Sequence, residues 1–78
     1  MTRTGVQTQQ RTGTTWDRQP SETSRQFATF REYRDMHPLE RSLAEVGRKL
    51  GRSTTYVERL SAQFRWIQRT AAFDREQD

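Results

Sequence analysis

Residues 42–60, SLAEVGRKLGRSTTYVERL, decide how this chain folds. Ser42 stands three residues ahead of Glu45, the spacing of a capping box, in which each side chain satisfies an orphan backbone N–H of the first helical turn. Leu43, Val46, Gly47 and Leu50 follow at i, i+3, i+4 and i+7, one tight helical stripe. Gly51 suits the left-handed conformation that stops a helix. Ser53 then caps the next helix through its hydroxyl. Val57, Leu60, Phe64, Ile67 and Ala71 continue at alternating spacings of three and four along the buried face of that helix. Two short helices around a glycine-bearing turn are therefore expected. Gly47 is small enough to let them approach closely where they cross.

Upstream, a first helix is expected to begin around Ser21, after Pro20. Glu22 would then lie in the first turn, where the helix dipole favours negative charge. Phe27, Phe30, Tyr33 and Met36 recur every three residues and form its apolar face. Pro38 drives His37 away from helical angles, so this helix should end by Met36 or His37. Residues 1–20 are rich in Thr, Gln, Arg and Gly, which predicts a flexible, mildly basic arm. Trp16 is its exception, either folded back onto the first helix or isolated and exposed.

Downstream, Trp66 and Phe73 lie off the third helix's stripe, one heptad apart. The helix is either long with a second apolar face, or broken near Gln63 to Trp66 with a short fourth helix beyond; the break is preferred. The acidic end, residues 74–78, should fray. The expected architecture is all-α: a three- to four-helix bundle over residues 21–73 containing a helix-turn-helix.

Bulk properties narrow the function. The chain has 78 residues, enough for one small domain, and only 29% are hydrophobic. A second copy or a partner would help to stabilise so small a core. Without cysteine there is no disulfide framework and no thiolate zinc site. No apolar run is long enough for a membrane span or a signal-peptide core, so a soluble, cytoplasmic protein is the expectation. His37, the single histidine, has no neighbouring Cys or acidic pair, no glycine-rich phosphate loop is present, and the carboxylates are scattered. No catalytic residue, metal or cofactor is expected.

The formal charge is +4, carried by 13 arginines and one lysine against ten acids. Arginine's planar fork suits phosphate and guanine better than lysine's point charge does, although a GC-rich genome also enriches arginine. From Arg41 to Arg69 seven cations face only Glu45 and Glu58, a balance of +5. Such clustering over a helix-turn-helix favours a backbone-binding surface. Arg41, Ser42, Arg48, Lys49, Arg52, Ser53, Thr54, Thr55, Tyr56 and Arg59 are the candidate contacts to double-stranded DNA, with the early third helix turned toward base edges. Glu58 is discordant unless it accepts from a cytosine amino group or pairs with an arginine. Tyr56 either caps the core edge or meets a phosphate. Phe27, Phe30, Tyr33, Trp66 and Phe73 could stack on unpaired bases, but their helical spacing favours core packing. The competing class is a small helical adaptor whose arginines bind an acidic protein.

The order of motifs also resembles the N-terminal region of terminase small subunits from tailed bacteriophages, over roughly residues 16–75. The matching positions are Phe27, Phe30 and Tyr33-Arg34-Asp35 before the helix-turn-helix, then Trp66, Arg69, Ala72 and Asp74 after it. Leu60 stands where relatives often carry Trp. The resemblance implies a homeodomain-like helix-turn-helix that recognises viral DNA to start genome packaging inside the host cell. It further implies a ring-like homo-oligomer and transfer of the DNA to the terminase large subunit. A phage transcriptional regulator would use the same element.

Overall fold

Thr23, not Ser21, opens the first helix in the computed structural model, which describes residues 15–77. The Thr23 hydroxyl accepts from the Gln26 N–H at 3.0 Å, and the Gln26 side chain accepts from the Thr23 N–H at 2.8 Å. That reciprocal pair satisfies two orphan donors and sets the start of α1 (Ser24–Arg34). Glu22 is left outside the helix, so it does not serve the dipole as the sequence suggested. Its side chain is buried instead. His37 takes the extended ψ of 134° that the following proline demands, and a short 3-10 turn, Pro38–Glu40, follows. Then come α2 (Leu43–Leu50), α3 (Thr54–Gln63) and α4 (Trp66–Gln77). All regular structure among the described residues is helical.

The stretch from Ser42 to Leu60 folds much as its pattern predicts. The Ser42 hydroxyl accepts from the Glu45 N–H at 3.2 Å, although the Glu45 carboxylate turns to Arg48 instead of closing the box. Gly51 is left-handed, with φ 68° and ψ 35°. The Ser53 hydroxyl accepts from the Tyr56 N–H at 3.1 Å and caps α3. Gly47 has a different reason to be small from the one expected. A Cβ there would lie 2.6 Å from the Arg52 carbonyl oxygen, so the close approach is to the turn backbone.

The core is built from Phe30 and Tyr33 of α1, Val46 of α2, Val57 and Leu60 of α3, Phe64 at the junction and Trp66 of α4. Trp66 is its centre, fully buried, with ring centroids 5.7 Å from Phe30 and 5.3 Å from Tyr33. Among the described residues its Nε1–H has no acceptor. Three expected core positions are corrected: Ile67 is 61% exposed, Leu50 is 39% exposed and Ala71 faces solvent. For Ile67 and Ala71, both on α4, the cause is the break preferred from the sequence. Phe64 and Arg65 leave helical geometry, Arg65 with φ 55°, and the phase of α4 shifts so that Trp66 turns inward. A left-handed non-glycine residue costs roughly 1–2 kcal/mol. Burying an indole, on the order of 200 Å², returns about 5 kcal/mol against at most about 3 for an isoleucine, and its two aromatic contacts add to that.

The N-terminal side also departs from expectation. The part of the basic arm over residues 1–14 lies outside the described residues, but Thr15 to Glu22 is bound to the bundle. Trp16 packs edge-on against Phe73 of α4, centroids 6.0 Å apart, and Arg34 of α1 donates to its carbonyl at 3.2 Å. At the other end α4 runs to Gln77, and Asp74 is anchored rather than frayed.

Candidate nucleic-acid interface

α2, the turn at Gly51 and α3 bring most of the candidate contacts to one end of α3. Ser53, Thr54, Thr55 and Arg59 are exposed there, as is Glu58. The Ser53 hydroxyl is spent on the cap, which leaves Thr54, Thr55 and Arg59 to project their side chains freely. The Arg52 guanidinium lies 5.1 Å from the Tyr56 ring centroid, a cation–π contact that holds it over the start of α3. Tyr56 is half-buried and packs against the core, so it caps the core edge.

Arg48 and Lys49 close the C-terminal turn of α2. Arg48 donates through Nε to the Glu45 carboxylate at 3.1 Å. This hydrogen bond holds the Glu45 carboxyl below its usual range and raises the Arg48 guanidinium above its own. Arg48 is largely exposed and Glu45 partly so, so the pair is weak and can be exchanged for a phosphate. Lys49 lies 3.7 Å from Glu32 of α1, also at the surface.

Arg41 and Ser42 do not join this group. The Arg41 guanidinium forms a bidentate pair with Asp74 of α4 at 2.7 and 2.8 Å, and donates to the carbonyls of Tyr33 and Arg34. The hydrogen bond from Arg41 is the main reason the Asp74 carboxyl is held below the usual carboxylate range. With its side chain only 8% exposed, Arg41 ties α1 to α4 and is not offered to a ligand. The Ser42 hydroxyl is occupied by the α2 cap.

Arg69, counted with the basic surface from the sequence, is interior. Its guanidinium pairs with Glu22 at 3.0 and 3.1 Å, donates to the carbonyls of Thr15, Asp17 and Phe64, and stacks 3.8 Å from the Phe30 ring centroid. Of the seven cations from Arg41 to Arg69, two are therefore consumed within the bundle, Arg69 in a buried pair and Arg41 in a partly buried one. Arg65 lies at the far end of α3, about 15 Å from its first residue at 1.5 Å per residue. The aromatic residues weighed as base-stacking platforms are mostly inside: Phe30, Tyr33 and Trp66 are buried, and Phe73 covers Trp16. No helix among the described residues is long and apolar enough to cross a membrane. Comparison of the chain with protein-family models, with curated proteins and with solved structures found no match.

Proposed function

We propose that this protein binds double-stranded DNA, with the N-terminal end of α3 entering the major groove and α2 and the turn lying against the backbone. The observation that carries the proposal is the doubly anchored start of α3. Ser53 caps it and Arg52 stacks on Tyr56, while Thr54, Thr55 and Arg59 project into solvent beside Arg48 and Lys49. Thr hydroxyls and a free guanidinium suit base edges, and the flanking cations suit phosphates. Glu58, exposed on the same helix, is matched to a cytosine amino group. Following the terminase small-subunit resemblance, the duplex would be viral DNA at the start of packaging. It would be held by a ring-like oligomer and passed to the large subunit.

The test is a titration of the full chain with a selected duplex and a scrambled one across a salt series. With Arg48, Lys49 and Arg52 on roughly three phosphates, log K should fall against log salt with a slope of about −3. Arg59→Ala should cost roughly 1–3 kcal/mol on the selected duplex and little on the scrambled one. Equal losses on both would leave a non-specific clamp, and a flat salt dependence would reject DNA binding in favour of the adaptor. Light scattering on the DNA complex separates a packaging ring from a dimeric transcriptional regulator.

A further inference from the structure

An open groove of about 660 Å³ lies between the Thr15–Ser21 segment and the junction of α3 with α4. Every charged residue lining it is an arginine. Arg69 is already saturated by Glu22 and backbone carbonyls. Arg65 and Arg75 are exposed, and among the described residues neither guanidinium has a partner. Phe64 and Ala72 line the same groove and give it an apolar floor.

Arg65 is the unusual member. It is the one non-glycine residue with positive φ among those described, at a position where glycine or asparagine would sit with less strain. The left-handed step turns the helix, and any residue tolerating it would do that; a long cation is not needed for the fold. The first turn of α4 beside it holds no acidic residue, so the positive end of that helix adds to the arginines. A DNA backbone would meet the cations but has nothing to lay on the apolar floor. An acidic peptide with one apolar side chain satisfies both.

We propose that this groove docks an acidic segment of a partner protein, its carboxylates pairing with Arg65 and Arg75 and one apolar side chain resting on Phe64 and Ala72. The groove lies at the opposite end of α3 from the surface proposed for DNA, so the two could be occupied together, and neither proposal requires the other.

The experiment uses the full chain and fluorescence anisotropy with a labelled Glu/Asp-rich peptide bearing one central leucine. Its Gln/Asn counterpart serves as the control peptide. The acidic peptide should bind at least about tenfold more tightly than the control. Arg65→Gly and Arg75→Gln should each weaken it by about tenfold, whereas Arg59→Ala should not. Arg65→Gly should not lower the melting temperature, because glycine accepts the left-handed conformation, so a loss of binding would not reflect unfolding. Equal binding of the two peptides, or acidic-peptide binding that survives both groove substitutions, overturns the proposal. So does a loss confined to duplex DNA, which would make the groove a phosphate seat. A chain that binds the acidic peptide through Arg65 and Arg75 but binds no duplex supports this proposal and rejects the DNA one.

Discussion

Gly47 shows how much one missing methyl group can control. Alanine is the better helix former, by roughly 0.8–1.0 kcal/mol in a helix interior. At this position, however, the new Cβ would meet the Arg52 carbonyl oxygen at 2.6 Å, and that oxygen is backbone that cannot swing away. The Arg52 N–H also donates to the Gly47 carbonyl at 2.8 Å, so the clash would strain the bond that closes the turn. Gly47→Ala is therefore expected to destabilise the domain by about 1–3 kcal/mol despite its propensity. Urea denaturation checks this, and a variant as stable as the parent would mean that the turn relaxes. Gly51 differs, because nothing lies within 4 Å of its would-be Cβ and only its φ of 68° resists substitution. Gly51 was legible as the turn residue and Gly47 as the one needed for space. What Gly47 makes space for was not, because that depends on where the turn backbone passes.

At the scale of elements, the Arg41–Asp74 pair joins the loop before α2 to α4. Hydrogen bonding from Arg41 depresses the Asp74 carboxyl, partial burial opposes this, and the charge of Arg41 reinforces it. A depressed folded-state pKa contributes stability that is present above the unfolded value, about 3.9 for Asp. That contribution is lost as pH falls through the lower folded value. Asp74→Asn should thus melt a few degrees below the parent at neutral pH, with the gap closing in acid once the parent's Asp74 is protonated. Thermal melts from pH 7 to pH 2 test it, and a gap independent of pH would assign the loss to packing. The helices themselves were readable, since caps and apolar spacing are carried by neighbouring residues. The break between α3 and α4 was readable as the better of two choices. Its consequence for Ile67 was not, because a shift in helical phase inverts which face is buried.

Across the whole molecule, Arg69 holds the chain's N-terminal segment to its last helix. Removing it would leave the fully buried Glu22 carboxylate without its cation. Breaking such a pair from one side typically costs about 3–5 kcal/mol, where a chain of this length commands roughly 4–12 in all. Arg69→Ala should therefore lose a large share of the folding stability, and adding Glu22→Gln should restore part of it by removing the stranded charge. A variant that melts like the parent and only binds DNA more weakly would return Arg69 to the phosphate-binding surface. The basic stretch from Arg41 to Arg69 was visible as a charge cluster. Its division into interior locks and exposed cations was hidden, because arginines in both roles look alike in sequence.

By itself the sequence determined what neighbours within a few residues can decide. The Ser42 and Ser53 caps, the left-handed Gly51, the stop before Pro38 and the exposed Thr54, Thr55 and Arg59 all follow from local hydrogen bonding and helical period. Only the tertiary structure decided that Trp66 fills the centre and that Trp16 meets Phe73. It also decided that Arg41 finds Asp74 across 33 residues and Arg69 finds Glu22 across 47. Such partners are chosen by which helix faces come together. That choice rests on burying the largest rings and leaving no charge stranded inside, which depends on the chain as a whole.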